Sequence, residues 1–240
     1  MAQYIPQPEI SGLEAAIGYK FKNPDIIREA LTHSSFSNEL RAHDINMPCN
    51  ERMEFLGDSV LSVITSELLF CEHPDLPEGD LSKIRAGTVN EKALSKFARS
   101  IDLGKYLLLG RGEDLTQGRS RPSILADAFE ALLAAIYLDG GIENVKKFLL
   151  PLVSQEIKSM IDSGSFRDYK TMLQQIVQQE QGELLEYVVT GESGPPHMRT
   201  FEVEAHLNSN VIGRGKGHSK REAEQQAARE ALKLFGEVTK

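Results

Sequence analysis

The spacing of apolar residues divides the chain in two. Up to about residue 155, apolar side chains recur every three or four positions. They do so in Ile10–Ile17, Asp25–Leu31, Arg52–Phe70, Leu81–Ser100, Ser123–Leu138 and Ile142–Ile161, which predicts a predominantly helical region. Breaks fall at Lys22-Asn-Pro24, at His73-Pro-Asp-Leu-Pro-Glu-Gly79 and at Asp139-Gly-Gly141. The polar, glycine- and arginine-rich segment Gly110–Pro122 reads as a loop.

Past the small polar stretch Ser163-Gly-Ser-Phe166 the period changes. One more helix, Asp168–Gln179, has Asp168 as its N-cap. Three strand-like runs follow, Leu184–Thr190, Thr200–Leu207 and Asn210–Gly213. The second alternates, with Phe201, Val203 and Ala205 on one face and Glu202, Glu204 and His206 on the other. A last helix runs from about Lys220 to Phe235, and Ser219 with Glu222 matches a capping box at its start. The expected organisation is multidomain. An all-α domain spans 1–162, a linker 163–167, and an α+β module of order α-β-β-β-α spans 168–238.

Composition narrows the class. No apolar run is long enough to span a bilayer, and Met1–Pro6 carries no basic region followed by an apolar one, so neither a membrane span nor a secretory signal is expected. Two cysteines, Cys49 and Cys71, build no disulfide framework and no zinc motif, which points to a reducing, cytoplasmic setting. The net charge of −8 argues against indiscriminate nucleic-acid binding. Positive charge is instead concentrated in Gly213-Arg-Gly-Lys-Gly-His-Ser-Lys-Arg221, which holds no acid.

The densest chemistry lies in Asn50-Glu-Arg-Met-Glu-Phe-Leu-Gly-Asp-Ser59. Offsets of three and four residues place Glu51, Glu54 and Asp58 on one helix face. Met53, Leu56, Val60, Val63 and Ile64 lie broadly opposite and are expected in the core. Gly57 costs about 1 kcal/mol relative to alanine inside a helix, which suggests that a second backbone packs close there. Asp127 and Glu130 form a second pair at i,i+3, with Ile124, Phe129, Leu132 and Leu133 available for packing. An acidic helix face alone is ordinarily just solvated. Two such helices facing each other would instead bring Glu54, Asp58, Asp127 and Glu130 to one point, a hard oxygen donor set suited to Mg²⁺ or Mn²⁺. A di-iron site would need Glu-x-x-His pairs, and position 130 is Glu where that pattern needs His.

These blocks resemble bacterial ribonuclease III. Asn50–Leu61 looks like that family's signature. Ala30-Leu-Thr-His-Ser-Ser35, Leu81-Ser-Lys-Ile-Arg-Ala86 with Val89-Asn90, and Ser123-Ile-Leu-Ala-Asp-Ala-Phe-Glu-Ala131 follow in the family's order. The resemblance implies that Glu54, Asp58, Asp127 and Glu130 bind catalytic magnesium, with Asp58 and Glu130 catalytic and Glu130 the most critical. It implies that Glu51 supports the cleavage site or RNA contact, and that Phe55 packs across a homodimer interface. The C-terminal segment resembles a double-stranded RNA-binding domain. Lys170, Gln174 and Gln178 form a polar stripe suited to 2′-hydroxyls, and the loop holding His197 could enter a second minor groove. Lys220 and Arg221, reinforced by Arg214 and Lys216, sit where a helix N-terminus attracts phosphate.

The implied protein is a homodimeric, magnesium-dependent endoribonuclease acting on double-stranded RNA, with rRNA precursors and structured mRNA as substrates and no small-molecule substrate. The rival is a non-catalytic duplex-binding dimer on the same fold. It predicts loss of a metal ligand, and all four carboxylates are present. The six histidines are scattered and read as structural or surface groups; His33 is expected at a helix–loop packing position.

Overall fold

A computed structural model describes residues 9–164, 166–179, 182–195 and 198–236. Contacts divide the chain into two units, up to Phe166 and from Arg167 onward. The stretch expected as a linker is partly built into the first unit: Ser163 ends a helix, and Phe166 is buried in that unit's core.

The first unit is helical. Its elements are α1 (Ser11–Ile17), α2 (Pro24–Ala30), α3 (Ser34–Arg41), α4 (Glu51–Glu72), α5 (Glu78–Thr88), α6 (Glu91–Ser100), α7 (Arg111–Leu115), α8 (Pro122–Gly140) and α9 (Ile142–Ser163). Helix α8 is apolar on nearly every side, with Leu125, Ala128, Phe129 and the run Ala131–Ile136 all buried, so it takes the centre of the unit. Asp127 and Glu130 are therefore carboxylates placed on the most buried helix of the fold.

The apolar run Leu81–Ser100 is two helices rather than one. Asn90 divides them, because its Oδ1 accepts from Ala93 N (3.0 Å) while its Nδ2 donates to Gly87 O (2.7 Å). One side chain thus caps the start of α6 and the end of α5. Helices α3 and α7 lie outside the runs that apolar spacing predicts as helical. The N-cap of α3 is His33, whose Nδ1 accepts from Ser35 N, and α7 is a short turn inside the segment expected as loop.

Gly57 sets how α4 meets α8. A Cβ on residue 57 would lie 1.9 Å from the main-chain oxygen of Glu130. The helices approach backbone to backbone there, as the glycine suggested. This contact fixes the rotation of α4. Met53, Val60 and Ile64 turn inward as expected, together with Leu61. Val63 does not. It is 57% exposed and shares the outward side of α4 with Phe55 (78%) and Phe70 (75%). The helix carries apolar residues on two faces, and the Gly57 contact selects which one is core.

The second unit is a helix, an antiparallel meander and a helix: α10 (Tyr169–Val177), β1 (Leu185–Ser193), β2 (Thr200–Leu207), β3 (Asn210–Gly217) and α11 (Lys220–Leu232). Asp168 caps α10 by accepting from Thr171 N. Asn208 and Ser209, both at positive φ, form the two-residue turn between β2 and β3. Val203 and Ala205 face the helices and are buried, as their alternation predicts. Strand β3 runs past Gly213 to Gly217. Its glycines face α11: a Cβ at 213 or at 215 would stand 2.2 Å from an α11 carbonyl oxygen.

Gly57→Ala should destabilise the protein by about 2 kcal/mol or more despite alanine's better helix propensity, because the helices must separate. Gly79→Ala is the control. Nothing lies within 4 Å of its would-be Cβ, so it should be neutral or slightly stabilising. Thermal melting of the two variants against the native chain checks both; equal melting temperatures for all three would remove the close approach as a constraint.

Candidate active site and RNA-binding surface

Helix α4 presents Glu54 toward α8 because Glu54 lies one turn before Asp58 and nearest the Gly57 side of the wheel. Oxygens of Glu54, Asp127 and Glu130 lie within 4.8 Å of one another. Asp58 is exposed and stands outside this group, further round α4, although it is close enough to act on Glu130 electrostatically. Glu51 is exposed in the first turn of α4. Three of the four expected ligands are thus brought to one point, and the fourth borders it.

The group is electrostatically frustrated. Burial first, and then the neighbouring charges of Asp58, Glu54 and Asp127, together raise the Glu130 carboxyl to about 8. Glu54 is raised by burial and then by Asp127, Glu51 and Asp58. Asp127 is raised by burial and by Glu91, against which only His33 acts. Among the described residues no lysine or arginine forms an ion pair with any of the four acids. Carboxylates held together without a paired lysine or arginine are what a hard divalent cation neutralises, so the donor set fits such an ion.

Two groups beside the site escaped the sequence reading. His33 caps α3, consistent with a helix–loop packing position, and it also acts electrostatically on Asp127. Hydrogen bonds from Asn50 N to Thr32 O (2.8 Å) and from His33 N to Leu108 O (3.0 Å) bring its segment against the start of α4. These are long-range backbone bonds, for which spacing within a segment carries no signal. Glu91, in the first turn of α6, is the other.

The second unit presents its expected residues unequally. Gln174 and Gln178 are exposed and share one side of α10 with Lys170, around a depression also lined by Glu183, Leu184, Tyr187 and Glu224. Lys220 and Arg221 are exposed at the start of α11. The cap there is a variant of the expected box: Ser219 Oγ accepts from Glu222 N (3.2 Å), and Glu222 Oε2 accepts from His218 N (2.8 Å) instead of from the cap residue. Lys220 Nζ lies 5.9 Å from the Phe201 ring centroid. Arg214 and Lys216 do not reinforce this end. The glycines beside them face α11, so strand alternation turns both away, onto the open face of the sheet. There Arg214 pairs with Glu204 (2.9 Å) and Lys216 with Glu202 (2.6 Å), their cross-strand neighbours. His197 lies outside the described residues.

A family model described as Ribonuclease-III-like matches residues 23–157, and one for the double-stranded RNA binding motif matches 169–234. The chain belongs to the ribonuclease III family. It is 50% identical to Ribonuclease 3 of Desulforamulus reducens, over 92% of this chain and 89% of that one. It is 47% identical to Ribonuclease 3 of Caldanaerobacter subterraneus, over 93% and 97%. Among solved structures, the nuclease domain of Campylobacter jejuni ribonuclease III, described for flexibility in a region involved in dimer formation, is 41% identical. It matches with a TM-score of 0.56, covering 62% of this chain and 98% of that one. The protein is a ribonuclease III-type endoribonuclease with a double-stranded RNA-binding domain, and the family is metal-dependent. Among the described residues no helix is long and apolar enough to cross a membrane.

The raised Glu130 fixes the sign of a pH effect. A free glutamate titrates near 4.5 and Glu130 near 8, so between those values the folded, metal-free chain holds a proton that the unfolded chain has released. Stability then falls as pH rises through this window. In EDTA the melting temperature should drop between pH 5 and pH 8.5, and millimolar Mg²⁺ should raise it more at pH 8.5 than at pH 5. A magnesium effect of equal size at both would show that the cation does not bind at this carboxylate group.

Proposed function

We propose that the protein hydrolyses double-stranded RNA with Mg²⁺, for which Mn²⁺ can substitute, leaving 5′-phosphate and 3′-hydroxyl ends with a two-nucleotide 3′ overhang. The observation that carries this is the convergence of Glu54, Asp127 and Glu130, which pair with no lysine or arginine among the described residues, in a family member that also has an RNA-binding module. Those three residues would hold the ion, with Asp58 beside them as a fourth carboxylate. When bound, the ion supplies Lewis acidity toward a phosphate oxygen and a more acidic water.

The chain's own residues do the rest. Glu130, whose proton burial otherwise retains, would release it where a cation is held. Asp58 and Glu51, both exposed, face the scissile segment. Water attacks phosphorus and the 3′-oxygen leaves, so the substrate's 2′-hydroxyl is not the nucleophile. In the RNA-binding module, Gln174 and Gln178 offer amide donors and acceptors to 2′-hydroxyls, and Lys220 and Arg221 meet phosphates at the N-terminus of α11. The two modules serve a homodimer, with Phe55 on the outward stripe of α4 entering the interface. Burying a side chain of that size supports such an assembly. The setting is the cytoplasm, and the substrates are rRNA precursors and structured mRNA.

A labelled perfect duplex should be cut with Mg²⁺ and not in EDTA, while the matching single strand is left whole. Tight duplex binding without any cutting would favour a non-catalytic binder. Glu130→Gln should lower cleavage more than about a hundredfold with duplex affinity nearly unchanged; loss of both together would contradict its role as a ligand. Within the RNA-binding module, Arg221→Ala should weaken duplex binding and reduce the salt slope by about one. Arg214→Ala and Lys216→Ala should leave both nearly unchanged, and equal losses at all three would place phosphate on the sheet face instead.

A further inference from the structure

We infer that Lys170, Glu224 and Gln225 are positioning residues that fix the spacing between α10 and the start of α11, and that Lys170 does not itself hold an RNA phosphate. This rests on the reading that the module binds duplex RNA.

The Lys170 ammonium is already engaged by two other elements. Its Nζ lies 2.6 Å from Glu224 Oε2 on α11 and 4.7 Å from the centroid of the Tyr187 ring on β1. Turning it toward a phosphate would break both contacts and leave the Glu224 carboxylate facing the RNA backbone. The next residue of α11 reaches the same place. Gln225 Oε1 accepts from Lys170 N (3.3 Å), and Gln225 Nε2 donates to Asp168 Oδ1 (2.7 Å). That oxygen also accepts from Thr171 N and caps α10. The first N–H groups of a helix have no acceptor within the helix itself. Here one of them is satisfied from a neighbouring helix, so the end of α10 is tied to α11 at both its main chain and its cap.

The apolar contact between the helices does not set this register alone. Leu173 and Val177 of α10 share a core cluster with Ala228, Ala231 and Leu232 of α11. Alanines permit close approach but interlock little. The ion pair and the two amide bonds are directional, and a shift along the axis would break them.

The position of the clamp relative to the RNA-facing residues gives it a function. Glu224 lies one turn after Lys220, and Gln174 and Gln178 lie one and two turns after Lys170. Holding Lys170 against Glu224 and Gln225 therefore holds the glutamine stripe at a set distance from the basic end of α11. A duplex recognised by shape, through contacts in its minor groove and at phosphates across the major groove, requires that distance to be preset.

The test is a double-mutant cycle on duplex affinity in EDTA, using the full chain as native protein, Lys170→Glu, Glu224→Lys and the pair together. Each is read at a temperature where circular dichroism shows it folded. Lys170→Glu should cost roughly tenfold in the native background and should recover affinity in the Glu224→Lys background, where the ion pair is restored with its charges exchanged. If Lys170→Glu costs as much or more in the Glu224→Lys background, Lys170 acts on the RNA directly and the inference fails. Gln225→Ala supplies the second arm. It carries no charge change and should weaken binding several-fold at an unchanged salt slope; unchanged affinity would overturn the clamp, and this arm decides if a charge variant does not fold. Failure of the native chain to bind any duplex would overturn the RNA-binding reading itself and the clamp's purpose with it. Native binding without coupling would overturn only the clamp.

Discussion

The carbonyl of Glu130 occupies the space that a side chain on residue 57 would need, and the nuclease unit is arranged around that contact. Because position 57 has no Cβ, α4 can lie directly on the buried helix α8. At that separation Glu54 reaches Asp127 and Glu130. At any wider one Glu54 would be carried away from the two α8 acids, which share a helix and stay together. The same approach rotates α4 so that Phe55, Val63 and Phe70 face outward. A single backbone contact therefore joins the helix geometry, the electrostatic strain of the acid group and the apolar stripe left outside.

The strain has a source that packing alone supplies. Asp127 and Glu130 belong to the most buried helix of the unit, so the surroundings that make α8 a good central helix also make its two acids poor anions. Burial is the largest influence on Glu54, Asp127 and Glu130 alike, ahead of their mutual repulsion. A fold that merely tolerated these residues would have left them at the rim, as it leaves Glu51. Their position inside costs stability in the absence of a cation, which is the usual relation between a site built for a reaction and the scaffold that carries it.

Much of this was legible in the chain, and the failures are instructive. The acid spacings, the glycine at 57, the α-β-β-β-α order and the capping residues Asp168 and Ser219 are local features, and each follows from backbone periodicity or hydrogen-bonding groups a few residues apart. The expectations that missed depended either on contacts remote in sequence or on caps and alternation that apolar periodicity does not resolve. Val63 is apolar and at helical spacing, but only the contact with α8 decides which apolar face of α4 turns in. Asn90 divides a run that periodicity reads as continuous, because one amide caps two helices. His33 comes beside Asp127 through backbone bonds to partners remote in sequence. Arg214 and Lys216 were grouped with Lys220 and Arg221 by proximity along the chain, yet a strand ends between them, and alternation had already sent the first pair to the other side.

That alternation along β3 has a consequence for how such modules are compared. At 213, 215 and 217 any side chain would collide with α11, while at 214 and 216 the side chains are largely exposed and pair across the strands with Glu204 and Glu202. Drift in sequence along this strand is then one-sided, free at the charged positions and closed at the glycines. A ranking of positions by invariance would place the glycines first and invite the conclusion that a glycine-rich basic loop grips the nucleic acid. The invariance would report instead on the thickness of the layer between sheet and helix.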